Sequence, residues 1–222
     1  ALFAVTTPFG TDVTVEARQG RALVDAAAAA RVGHIVFTSA AHADRATGVP
    51  HYDSKYLVEQ HLRASGVAWT VLGPAAFMDN FATGWTLDGL REGTFAWPMP
   101  ADRPLTLIPV ADIGAFAARA LLHRAEFSGR RIDIASDTCT PAHLAAVLSA
   151  AARRPITHQE VPLDQVRRWS DDLAAMFAYF VSEGLDVGVA DLRRAHPEVR
   201  WHTFAEWAAE QDWAASLAAA AV

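Results

Sequence analysis

Short apolar runs alternate with stretches of helical periodicity through the first third of the chain. Residues 2–6, LFAVT, and 34–39, HIVFTS, show no clean polar/apolar alternation, which predicts strands buried on both faces. Between them, VEARQGRALVDAAAAARVG sets Val15, Leu23, Val24 and Ala27 at helical spacing and ends at Gly33, a residue suited to a left-handed helix terminus. The pattern repeats with a helix from about Pro50 to Ser65, a turn at Gly66 and a third buried strand in AWTVLGP. Successive strand–helix–strand units of this kind predict an α/β fold, a parallel sheet with helices on both faces.

After Pro74 the regularity loosens. The stretch AAFMDNFATGWTLDGLREGTFAWPMPADRP is rich in Gly, Pro and aromatic residues and is expected to cover the carboxyl ends of the strands, where such covers shape substrate pockets. LTLIPV reads as a strand leading into the helix ADIGAFAARALLH, and RRIDIAS as another strand. Thr140 and Pro141 start a further helix, ITHQEVP is the last expected strand, and the chain is helical from Leu163 onward. Thr203 and Glu206 stand at capping-box spacing before WAAEQDWAASLAAA. These elements predict a core at residues 1–74 and a cover with a smaller, mainly helical substrate or partner region at 75–222, interleaved with that core or forming a single domain 1–222 with it.

Composition narrows the function classes. The chain has 222 residues, 52% of them hydrophobic and 20% charged, a globular balance without a low-complexity linker. The formal net charge of -6, with arginines scattered along the chain, disfavours direct nucleic-acid binding. The apolar stretches are too short to span a bilayer and the N-terminus has no basic flank of a signal peptide, so no membrane partner and a cytoplasmic location are expected. Cys139 is the only cysteine and is expected to be a bland, partly buried thiol. No HxxxH or HExxH pair suggests a metal site, and no GxSxG elbow suggests a serine hydrolase.

One helix carries candidate chemistry. Residues four apart share a helix face, so in HYDSKYLVEQ the side chains of His51, Lys55 and Glu59 form a column, with Tyr52 turned about 100° away. If the end of HIVFTS lies beside that face, Thr38 or Ser39 brings a hydroxyl to an imidazole and an ammonium. The same spacing equally suits a solvated Lys55–Glu59 pair with His51 decorating the first turn.

The run HIVFTSAAHADRATGVPHYDSKYLVEQHLRASGVAWTVLGPAAFMDNF resembles the core of the NmrA-like family, atypical members of the short-chain dehydrogenase/reductase superfamily with a Rossmann fold. PLTLIPVADIGAFAARAL, FSGRRIDIASDTCTPAHLAAVLSAA and HPEVRWHTFAEWA resemble the same family in the same order. The resemblance implies binding of NADP or NAD. It assigns Lys55 to the nicotinamide ribose, Val5, Thr6 and Thr7 to the strand end beside the cofactor, Thr38 and Ser39 to the strand end next to the nicotinamide, and Pro74, Phe77 and Asn80 to the closing loop. Phe77 equally fits a core role and Asn80 a helix cap.

The chain departs from the family pattern in two places. His51 stands where many reductases carry tyrosine, a position that is often not tyrosine in this family. ALFAVTT resembles the family's fourth strand, and no GxxGxxG turn precedes it, which leads to the expectation of an N-terminally truncated Rossmann sheet with LFAVT at a hydrophobic edge. Two functional readings stay open. One is an NAD(P)H-dependent oxidoreductase acting on a small carbonyl, quinone or similar acceptor, with His51 or a water supplying the proton and Lys55 orienting the ribose. The other is a non-catalytic NAD(P)-sensing or protein-interaction protein, or a fragment unable to bind cofactor alone. In that reading Trp201, Trp207 and Trp213 contact a partner, against a packing role in their own domain, and a homodimer is a further option.

Overall fold

The computed structural model describes residues 1–8, 10 and 12–218. In chain order the first elements are β1 (Leu2–Val5), α1 (Val13–Ala29), β2 (Ile35–Thr38), α2 (Pro50–Ala64), β3 (Trp69–Pro74) and β4 (Ala76–Phe77). Then come α3 (Gly84–Arg91), β5 (Thr94–Trp97), β6 (Leu105–Ile108), α4 (Val110–Leu122), α5 (Arg124–Phe127), β7 (Arg130–Ile134) and β8 (Asp137–Cys139). The remainder is α6 (Pro141–Ala152), β9 (Thr157–Glu160), α7 (Leu163–Arg167), α8 (Asp171–Ser182), α9 (Val189–Ala195), α10 (Phe204–Ala209) and α11 (Trp213–Ala218). The chain divides into two units. Ala1–Ala75 with Ile113–Ile134 forms the first, and Ala76–Asp112 with the residues from Ala135 onward forms the second.

The first unit is built on a four-stranded sheet of order β1-β2-β3-β7, parallel throughout, with Leu2 opposite Ile35, Ile35 opposite Trp69 and Thr70 opposite Arg130. β2 lies inside the sheet and all four of its residues are buried, which explains why its sequence does not alternate. β1 stands at the edge, where Phe3 is 41% and Val5 61% exposed. Ala4, Val24, Ala27, Ile35, Phe37, Val58, Leu62 and Val71 make a continuous core between strands and helices. Burying a side chain such as Val58 or Leu62 contributes roughly 1.5–3 kcal/mol.

Two local details govern how α1 meets α2. Asp12 caps α1 by accepting hydrogen bonds from the Thr14 and Val15 amides, each at 2.8 Å. Halfway along, Gly20 lets the helices touch, since a Cβ there would stand 2.4 Å from Val58 Cγ2. At the other end the expectation for Gly33 is corrected. The left-handed residue is Arg31 (φ 55°), because the last turn closes through Arg31 N–H to Ala28 O and Val32 N–H to Ala27 O, each at 2.9 Å, before Gly33 is reached.

In the second unit, β6 pairs in parallel with β4 and antiparallel with β8, while β5 pairs in parallel with β9. The loosened stretch after Pro74 thus contains β4, α3 and β5. Phe81 anchors the core there, with ring centroids 4.9 Å from Trp97, 5.4 Å from Phe204 and 5.6 Å from Phe95. Thr203 and Glu206 form the expected capping box, but the following helix is broken: α10 stops at Ala209, and Asp212 caps α11 by accepting from the Ala215 amide. Residues 219 and 220 of the expected helix, and Phe9 of the TPFG turn, lie outside the described residues.

Trp201, Trp207 and Trp213 are buried within this unit, at 6%, 4% and 4% exposure, which corrects the reading of them as partner contacts. The indole of Trp201 donates to His196 O and that of Trp213 to Ala208 O, so both polar edges are satisfied internally.

Candidate functional site

Lys55 projects from the second turn of α2 toward β1. Its Nζ donates to the Thr6 carbonyl at 2.8 Å and to Glu16 Oε1 at 2.7 Å, and its side chain retains only 12% exposure. Glu16 comes from the first turn of α1 and is completely buried. Its carboxylate also accepts from Thr6 Oγ1 at 2.9 Å and from Ser54 Oγ at 2.5 Å. A buried carboxylate is tolerated only when paired and hydrogen-bonded, and here three donors from β1's exit and α2 converge on it. An ammonium has three N–H donors, so two are committed to the protein.

The Lys55–Glu59 surface pair allowed by the spacing is not formed. Glu59, one turn further on, is buried and instead accepts from Arg131 Nε and from Arg63, both at 3.1 Å. Burial pushes the Glu59 carboxyl above its ordinary range, and Arg131, Ser39 and Arg63 offset this only in part. Arg131 is raised in turn: burial opposes its charge, but Asp133, Glu59 and Asp44 outweigh that. Its guanidinium pairs with Asp133 and donates to the Ala40 carbonyl at 2.8 Å, while Asp133 accepts from the His42 amide at 3.2 Å. This network holds the segment leaving β2, in which His42 and Ala46 both take left-handed backbone conformations (φ 64° and 51°), a strain that needs surrounding support. It also accounts for Gly73, where a Cβ would fall 2.1 Å from Asp133 Oδ1 and 2.9 Å from Ala40 O.

Thr38 and Ser39 sit at the carboxyl end of β2, both buried. The Ser39 hydroxyl acts electrostatically on Glu59 but stands outside good hydrogen-bonding geometry, and Thr38 Oγ1 is buried with no hydrogen-bond partner among the described residues. Such an orphaned hydroxyl is costly unless a ligand or water completes it. In open parallel sheets the carboxyl ends of strands are where ligands bind.

The remaining sequence-derived residues fall as follows. Thr6 is half-buried in the Glu16 cluster, and Val5 and Thr7 are exposed at the end of β1. His51 is half-buried in the first turn of α2, its ring 4.7 Å from that of Tyr52 in an edge-on contact. Pro74, at the end of β3, is buried. Phe77 and Asn80 belong to the second unit. There Asn80 is exposed in a short 3-10 helix and Thr83 stands at the N-cap of α3, while Asp79 accepts from the Val110 amide at 2.8 Å, at the start of α4. Sequence reasoning missed Glu16 and Arg131. Each is a charge inside an apolar pattern, and only long-range pairing reveals its partner.

Among the described residues no cluster of three or more His, Cys, Asp or Glu could hold a metal ion, and no helix is long and apolar enough to cross a membrane. In the second unit Cys139 is buried and its thiol is pushed up to about 12 by burial and by Asp137, which leaves it a poor nucleophile.

A family model described as "NmrA-like family" matches residues 1–208. An NAD(P)H azoreductase of Xenophilus azovorans is 30% identical over 167 residues, 74% of this chain and 56% of that protein. The nitrogen metabolite repression protein nmrA of Emericella nidulans is 27% identical over 128 residues, 54% of this chain and 36% of that protein. Among solved structures, an NADPH-dependent quinone oxidoreductase of Escherichia coli complexed with NADPH superposes with a TM-score of 0.74 at 25% identity, covering 93% of this chain and 74% of that one. This chain thus spans about half the length of the azoreductase and about a third of the repression protein.

Proposed function

From the premise that this chain belongs to the NmrA-like family, we propose that it is an NAD(P)H-dependent oxidoreductase acting on a small carbonyl, quinone or similar acceptor. The observation that carries this reading is the Lys55 ammonium, two of its three N–H donors committed to the protein, held beside the end of a parallel strand. The residues fit the nicotinamide side of a dinucleotide. Lys55 has an N–H left for a ribose hydroxyl, and Thr38 Oγ1 is a buried polar atom without a partner among the described residues. Thr6, Thr7 and Val5 line the strand end on one side, and Ser39 and Pro74 stand at the neighbouring strand ends.

When bound, the nicotinamide supplies a hydride for the acceptor. The matching proton comes from His51, half-buried in the first turn of α2, or from a bound water. Binding of NADPH is expected to change tryptophan fluorescence saturably. The Lys55→Ala variant is expected to lose affinity by about tenfold or more, the worth of a hydrogen bond to a charged group. Unchanged affinity in a variant that still binds would remove Lys55 from the site.

The replacement of tyrosine by His51 favours a second reading, a cofactor-responsive protein without turnover, and a repression protein is among the chain's relatives. Saturable NADPH binding with no oxidation of the cofactor across a panel of quinones, azo dyes and carbonyls supports that reading; steady turnover at enzyme-like rates excludes it.

A further inference from the structure

Lys55 is the only lysine in the chain; every other one of the 19 Lys and Arg side chains is an arginine. Arginine serves at exposed positions such as Arg167 and Arg194 and in the part-buried network of Arg131. The one ammonium stands where a compact donor must fit between the Thr6 carbonyl and a fully buried carboxylate. A planar, forked guanidinium does not match that geometry. The site therefore selects lysine on geometric grounds, and the group that shapes it is Glu16.

We propose that Glu16 is a positioning residue for cofactor binding. By accepting from Lys55 Nζ, Ser54 Oγ and Thr6 Oγ1 at once, it fixes two of the cofactor-facing candidates, Thr6 and Lys55, in a single register. It leaves the third N–H of Lys55 as the donor directed to the ligand. The proposal rests on the reading of Lys55 as a ribose contact, and it assigns to α1 a part in binding that its surface-helix pattern does not suggest. Glu16 itself touches no cofactor. Its effect passes through Lys55, as a supporting residue's does through the ligand it orients.

The single lysine makes the test specific, because protein labelled with 15N-lysine gives one side-chain Nζ resonance. In the wild-type chain that resonance should be protected from solvent exchange and should shift on addition of NADPH. Glu16→Gln replaces an acceptor by an amide donor facing Ser54 and Lys55, and Glu16→Asp keeps the charge and the fold while withdrawing the carboxylate. In whichever variant folds, the Nζ resonance should lose protection and NADPH affinity should fall by about tenfold or more. Lys55→Met, which costs affinity in the wild type, should cost almost nothing further in that background, as coupled residues require.

Equal protection of Nζ in wild type and variant overturns the positioning role whatever NADPH does. An undiminished penalty for Lys55→Met in the variant background overturns it as well, since the two residues then act independently. A protected wild-type resonance that NADPH leaves unmoved, with Lys55→Met binding normally, sinks the ribose reading itself and reduces Glu16 to a structural ion pair.

Discussion

His34 carries a solvation problem on one side of its ring. The Thr70 hydroxyl donates to the Phe127 carbonyl at 2.9 Å, so at its 2.9 Å contact with His34 it must accept, which assigns the proton of His34 to Nε2. Nδ1 is buried without a partner among the described residues, and burial first, then Arg124, holds the imidazole below its ordinary value of 6.5. The folded state therefore resists a proton that the unfolded state accepts. Stability should be fully present above about pH 6.5 and should fall as pH drops through that value, by at most about 1.4 kcal/mol per pH unit from this group. Urea unfolding at pH 7.5 and 5.5 measures the slope, and His34→Gln should flatten it; an unaltered slope would assign the acid sensitivity to other groups. Lys55 could be singled out at this scale because a lone motif and its helical spacing are local facts. Glu16 could not, because its spacing with Val15 and Ala17 places it in a helix but does not say that its face meets α2, where the neighbouring position needs a charge.

The contact of α1 with α2 depends on Gly20 as much as on any apolar side chain. In an exposed helix, alanine in place of glycine would stabilise by about 1 kcal/mol. Here the added Cβ would stand 2.4 and 2.9 Å from the two Val58 methyls and 3.3 Å from Thr6 Cγ2, and overpacking of this kind costs about 1–3 kcal/mol. Gly20→Ala is therefore expected to lower the urea midpoint, and Val58→Ala in the same chain should recover part of the loss; a raised midpoint would mean that the helices yield easily. The shift should also weaken NADPH binding, because α1 carries Glu16 one turn away. Elements with strong local signals were legible before the structure: Asp12 aside, the caps at Thr140 and Thr203, the Pro50 helix start and the buried strands β2 and β3 follow from residue chemistry alone. The short strands β4, β5 and β8 were not, because pairs such as Thr94–Trp97 with Thr157–Glu160 are specified by a partner about 60 residues away rather than by their own pattern.

At the scale of the whole molecule, neither unit is a continuous piece of chain. The first is interrupted by residues 76–112 and the second by residues 113–134. If the second unit unfolded alone, the first would have to hold β7 in its sheet while closing a flexible loop of residues 76–112, at an entropic cost of about 3 kcal/mol before any constant term. A folded second unit removes that cost, so interleaving couples the two stabilities without any appeal to contacts between them. The chain carries its own reporters of this coupling, Lys55 in the first unit and Cys139 in the second. The Cys139 thiol, pushed up to about 12, should be inert to thiol reagents at pH 8 in the native protein and should react only as its unit opens. Modification of Lys55 by an amine reagent should appear at the same urea concentration as modification of Cys139, and both should track the loss of helical circular dichroism. Separated midpoints, with Cys139 reacting while Lys55 stays protected, would show that the first unit tolerates the open loop and folds independently of the second.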